Sequence, residues 1–108
     1  MTKQQKDHIS TQLALANIGL QRYGNPKIVY KGKSYHASQL IKVLEKQQPL
    51  SLEDLVTCKT IKYLLEEKLN ELGVADNYEI EDEVLRAYAT VLRQDICRVK
   101  YLIKKSNI

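Results

Sequence analysis

The chain has 108 residues, 44% apolar and 28% charged, with 17 Lys or Arg against 13 Asp or Glu for a net charge of +4. These proportions exclude a disordered chain, and no apolar run reaches the length needed to span a membrane. The length fits one α-rich domain, residues 1–108, built around one core.

Charge is unevenly spread. Residues 1–36 hold six bases and one acid, residues 76–83 five acids and no base, and residues 84–108 six bases and one acid. Two basic ends therefore flank an acidic cluster, an arrangement that suits attraction between chains as well as binding to a polyanion. Cys58 and Cys97 stand in no motif, so reduced thiols are expected rather than a disulfide scaffold. MTKQQKDHISTQ at the start has no uninterrupted apolar run and does not read as a signal peptide; a cytoplasmic protein is expected.

Residues 4–23 read as the first helix. Ile9, Leu13, Ala16, Leu20 and Tyr23 recur at intervals of four, three, four and three, one face of a helical period. Leu15 and Ile18 point to the opposite side, so the helix is either sandwiched within the fold or, the reading favoured for a one-domain chain, in contact with a second copy, most simply in a homodimer. Gly24-Asn25-Pro26 ends the helix. In KIVYKGKSY, Ile28, Val29 and Tyr30 are strand formers and Lys31-Gly32 a two-residue turn. That loop length predicts a hairpin with Ile28 opposite Tyr35 and Tyr30 opposite Lys33.

Ser38 is the expected cap of a short helix over residues 39–47 that buries Leu40, Ile41 and Leu44. Ser51 caps the next stretch, residues 51–73, with Glu53 and Asp54 in its first turn and Gly73 as its left-handed stop. Here the apolar phase changes. Leu52, Leu55 and Val56 share one side, whereas Ile61, Leu65, Leu69 and Leu72 share nearly the opposite one. Either one long helix is packed on both sides, or it breaks or bends near Thr57-Cys58-Lys59; Thr57 and Thr60 suit caps better than helix interior, which favours the break. Asp76 and Glu79 have the spacing of a capping box for a long last helix, residues 78–104. Its apolar stripe runs from Ile80 through Val84, Tyr88, Leu92, Ile96 and Val99 to Ile103. The expected fold is thus mainly α: four or five helices, one short β-hairpin and a long C-terminal helix.

Few residues suggest chemistry. The acids at 79–83 lack the oxygen spacing and central glycine of a calcium loop, and crowd a helix start for dipole reasons. His8 and His36 stand in no metal-ligand spacing with each other or with a cysteine. No phosphate loop, serine elbow or dinucleotide fingerprint occurs. No metal, no cofactor and no enzymatic activity are expected. Asp95 is the anomaly, a carboxylate inside the apolar stripe of the last helix. Arg98, a tyrosine hydroxyl or His36 could pair with it there.

Residues 40–73, LIKVLEKQQPLSLEDLVTCKTIKYLLEEKLNELG, contain a helix, a Pro49-Leu50-Ser51 junction, a short helix and a longer one ending in Leu72-Gly73. That order resembles the winged helix-turn-helix repressors and implies a recognition helix before Gly73. The segment departs from the pattern between Leu55 and Thr60, where several residues including the usual glycine turn are missing. A long helix rather than a strand-rich wing follows Gly73, so no family is assigned.

Arg86, Arg93, Lys100 and Lys104 form a basic ridge on the last helix away from its apolar stripe. Lys31 and Lys33 make a second basic group on the hairpin, beside Tyr30 and Tyr35. The leading expectation is a non-catalytic interaction protein, a small regulator, inhibitor or adaptor that binds a protein partner through a helical face. The alternative is nucleic-acid binding by the ridge, joined by the hairpin lysines.

Overall fold

The computed structural model describes residues 3–47, 49–74 and 80–106, with side chains of the first helix from Ser10 onward. Among these residues the chain forms four helices and one hairpin, in the order α1 (Lys3–Tyr23), β1 (Lys27–Tyr30), β2 (Lys33–His36), α2 (Ala37–Lys46), α3 (Leu52–Glu71) and α4 (Glu83–Ser106). The fold is mainly α, with the long C-terminal helix as its spine: α1, α2 and α3 all pack against α4.

The hairpin has the predicted register, Ile28 opposite Tyr35 and Tyr30 opposite Lys33. Both turn residues adopt positive φ, Lys31 at 51° and Gly32 at 80°, the backbone that a two-residue hairpin loop demands. Lys31 is an unusual residue for that conformation, and its ammonium lies 5.2 Å from the centre of the Tyr30 ring. Alternation along β1 turns Ile28 and Tyr30 inward and leaves Lys27 and Val29 outside. The Pro26 carbonyl accepts the Ala37 N–H at 3.0 Å, closing the hairpin base where α2 begins.

Three boundaries differ from expectation. Helix α2 starts at Ala37 with His36 as N-cap, because Gln39 Oε1 accepts the His36 N–H at 3.3 Å. Ser38 consequently lies in the first turn, where its hydroxyl is available to another helix. Helix α4 starts at Glu83, with Asp82 Oδ1 accepting the Leu85 N–H at 3.1 Å. The capping pair Asp76 and Glu79 lies outside the described residues, and Ile80 is buried from the connection rather than from the helix.

The third correction concerns α3, which is one helix without a break. Thr57 and Thr60 return their hydroxyls to the carbonyls of Glu53 and Val56, each at 3.0 Å, so both fit the helix interior as back-bonded residues rather than caps. At its start Ser51 Oγ accepts the Asp54 N–H and Asp54 Oδ2 accepts the Ser51 N–H, a reciprocal cap. Gly73, at φ 70°, ends it as expected.

The core is drawn from one face of each element: Ile28 and Tyr30, then Leu40, Ile41 and Leu44, then Cys58, Ile61, Leu65 and Leu69, then Tyr88, Leu92, Ile96, Val99 and Leu102. Burying a side chain of this size contributes about 1.5–3 kcal/mol, so the packed faces, not helix propensity, hold the helices together. On α1 the covered residues are Ala16 and Gly19, with Leu15, Leu20 and Tyr23 half-buried. Leu13, placed on the packed face by its spacing, is instead 57% exposed.

Candidate functional site

Helices α3 and α4 run antiparallel. The first half of α3 lies beside the end of α4, whereas Val74, just past α3, reaches Arg93 nearer the middle of α4. A groove of about 600 Å³ opens between them, lined by Lys59, Lys62, Tyr63 and Glu66 from α3 and by Lys100, Ile103 and Lys104 from α4. Ile103 is half-buried and continuous with the core, so it forms an apolar floor. Tyr63 is exposed on one wall, its hydroxyl held above the usual phenol range by the Glu67 carboxylate beside it. Helical spacing explains the lining: residues three or four apart on α3 share the flank that faces α4.

Four lysines thus face one carboxylate. Lys62 pairs with Glu66 at 3.4 Å, one turn along the same helix. Among the described residues, no carboxylate lies within ion-pair distance of Lys59, Lys100 or Lys104. All three are exposed, which leaves the groove positively charged and able to receive an anionic group.

The basic ridge on α4 divides between two tasks. Arg86 donates from Nε to the Ile80 carbonyl at 3.1 Å, and Arg93 donates to the Val74 carbonyl. Val74 and Ile80 lie outside the helices, and two guanidinium groups supply donors to their carbonyls. Lys100 and Lys104 are the ridge residues that enter the groove. Lys59 and Lys62 join them from a helix about forty positions earlier, an association that only the pairing of α3 with α4 creates. The hairpin residues Lys31 and Lys33 are exposed and stand outside the groove lining.

Asp95 is buried, at 4% exposure. Ser38 donates to its Oδ2 at 2.6 Å, and Arg98 Nη1 lies 3.4 Å from its Oδ1. Arg98 also forks onto Glu45, with Nε 3.2 Å from Oε2 and Nη2 on Oε1. That bond to Arg98 holds Glu45 below the usual carboxylate range, against the smaller opposing effect of burial. Asp95 and Arg98 come from α4, Ser38 and Glu45 from α2, so the cluster pins these two helices together. Ser38 was legible only as a cap; its bond to Asp95 depends on the helix beginning two residues earlier.

A second buried carboxylate, Asp54 at 5% exposure, was not singled out by the sequence. The Tyr30 hydroxyl lies 2.7 Å from its Oδ1 and 2.8 Å from Gln47 Oε1. Burial pushes Asp54 upward, yet the Tyr30 hydroxyl and the Ser51 N–H and hydroxyl outweigh it and bring the carboxyl below its ordinary value. Asp54 is in effect the bolt between the hairpin and the start of α3.

The Cys58 thiol is not poised for nucleophilic chemistry. Burial, reinforced by Asp54, pushes the Cys58 thiol up to about 11, so it stays protonated at neutral pH. Cys97 is exposed. Among the described residues no three His, Cys, Asp or Glu side chains cluster so as to hold a metal ion, and no helix is long and apolar enough to cross a membrane. On α1, Leu15 is half-covered and Ile18 is 42% exposed. No family model, curated protein or solved structure matches this chain.

Proposed function

We propose that the protein is a non-catalytic interaction protein, a small regulator, inhibitor or adaptor, that binds an acidic protein partner at the groove between α3 and α4. The observation that supports this reading most is the lining itself: Lys59, Lys100 and Lys104, with no carboxylate partner among the described residues, around the apolar floor of Ile103. Exposed ion pairs contribute only about 0.2–1 kcal/mol each, so lysines select and steer a partner while apolar contact must hold it. A protein surface offers both kinds of contact. A phosphate backbone offers only the first, and with Arg86 and Arg93 committed to backbone carbonyls the ridge gives no long basic track along α4.

The test is affinity capture, from lysate with and without nuclease treatment, by the wild-type chain and by a Lys59→Glu, Lys100→Glu variant. A protein retained by the first and lost by the second is the expected result. Equal capture by both would exclude the groove, and retention that disappears on nuclease treatment would transfer the site to nucleic acid.

Self-association through α1 is a second reading, supported by the exposure of Ile18. Under it, Ile18→Asp converts a dimer to a folded monomer by light scattering. A wild-type mass that is already monomeric at tens of micromolar would end it.

A further inference from the structure

The outer face of α3 carries apolar side chains that the core does not use. Leu52, Val56, Lys59 and Tyr63 recur at intervals of four, three and four, so they form one line along the helix, and all four are exposed. Leu52 is 80% exposed, Val56 59% and Tyr63 63%. The inward line is taken by Asp54, Cys58, Ile61, Leu65 and Leu69. Lys59 and Tyr63 also belong to the groove lining, so the apolar line and the lysine groove are one continuous surface. At 1.5 Å per residue, Leu52 to Tyr63 spans roughly 16 Å, or three helical turns.

We propose that the partner segment is an acidic amphipathic helix of three to four turns, lying along α3 with its apolar side on Leu52, Val56 and Tyr63 and its carboxylates toward Lys59 and Lys100. This rests on the acidic-partner reading above and adds the partner's shape and periodicity. A helix in this position presents side chains at i, i+3 or i+4 and i+7, the spacing at which α3 displays its own. Lys59 stands within the line and Lys100 beside it on the α4 flank, so the acids belong on the flank of the partner that faces α4. A nucleic acid presents phosphates, base edges and base faces, but no row of aliphatic side chains at helical spacing to set on Leu52 and Val56. A second copy docked by the same face would bring the same lysines to the seam and repel it.

The test is selection of displayed random peptides of about 16 residues, long enough for four turns, on the immobilised full chain. One enriched peptide is then labelled, and its binding is measured by fluorescence anisotropy and its helicity by circular dichroism. Expected are peptides with apolar residues at helical spacing, acids on one flank and a gain of helix on binding. Affinity should fall about tenfold or more for Leu52→Asp with Val56→Asp, and likewise for Lys59→Glu with Lys100→Glu. The exposure of all four sites keeps these variants folded, which their own helicity checks. Acidic peptides without apolar periodicity, indifferent to the Leu52 and Val56 changes, would overturn the helix and leave the acidic-partner reading standing. Peptides indifferent to the lysine changes, or no enrichment at all, would overturn both.

Discussion

Tyr88 sits directly beneath Gly19: a Cβ placed on Gly19 would lie 2.6 Å from the Tyr88 Cβ, closer than two carbon atoms can approach. The same tyrosine packs its ring, tilted by 43°, at 5.4 Å from the Tyr23 ring and donates its hydroxyl to the Gly24 carbonyl at 2.7 Å. One fully buried residue of α4 therefore fixes the end of α1 at three points, and among the described residues α4 is the helix against which α1 packs.

Gly19→Ala should separate α1 from α4. Alanine is the better helix former by about 1 kcal/mol, which favours the variant locally. Its methyl meets a Cβ rather than the end of a flexible chain, so helix axes must shift, at a cost of about 1–3 kcal/mol. The net expectation is loss of hydrogen-exchange protection confined to α1 and a lower Tm. Protection in α1 equal to wild type would show that the approach is not tight.

Alkaline stability follows from the same residue. Burial, with the nearby Glu71 charge, pushes the Tyr88 phenol from 10.0 up to about 12. The folded state thus holds this proton more tightly than the unfolded one. Its contribution is complete below pH 10 and is lost as pH rises toward 12. Tyr88→Phe should cost about 1 kcal/mol at pH 7 through the orphaned Gly24 carbonyl. It should also flatten the fall in stability across the window from pH 10 to 12, measured by urea unfolding. An unaltered slope would assign alkaline unfolding to other groups, such as the Cys58 thiol.

Acid works through Asp54. Its carboxyl lies below the ordinary value in the folded protein, so the stabilisation is present above the unfolded value of 3.8 and is lost as pH falls through the folded one. Asp54→Asn keeps an acceptor for Tyr30 but gives up the charge. It should destabilise by about 1.5–3 kcal/mol at neutral pH, the range for hydrogen bonds to a charged group. The gap between the two proteins should narrow once the pH is below that of the folded carboxyl. A gap independent of pH would mean that the amide fails for shape rather than charge.

Much of this arrangement was legible where local chemistry decides it. Lys31-Gly32 set the hairpin register, Gly73 ended α3, and the apolar stripe marked α4 as a long helix, though not as the spine. The sequence misled where a residue has two local solutions. Thr57 and Thr60 can cap a helix or bond back within one, and the phase change from Leu52 to Ile61 read as a break. The helix in fact continues and leaves Leu52 and Val56 outside. Asp54 looked like an ordinary first-turn acid, because Tyr30 and Gln47 come from other elements. Half the groove was visible as Lys100 and Lys104. Lys59 and Lys62 were not, since no local signal tells which flank of α3 will meet α4.

The cluster around Asp95 separates a buried interaction from a surface one within a single arginine. Arg98 reaches Glu45, whose side chain is 38% exposed, and Asp95, whose side chain is 6% exposed. Glu45→Ala removes a partly solvated pair and should cost about 0.2–1 kcal/mol. Arg98→Ala leaves Asp95 buried with Ser38 as its remaining described partner, so about 2–4 kcal/mol is expected. Ser38→Ala should cost less than Arg98→Ala, and the Ser38 and Arg98 changes together should exceed the sum of the two, because each alone leaves the carboxylate one donor. Denaturant unfolding of the four variants checks the order. Equal losses for Glu45→Ala and Arg98→Ala would show that the arginine acts on Glu45 alone, and that Asp95 is satisfied by the serine hydroxyl.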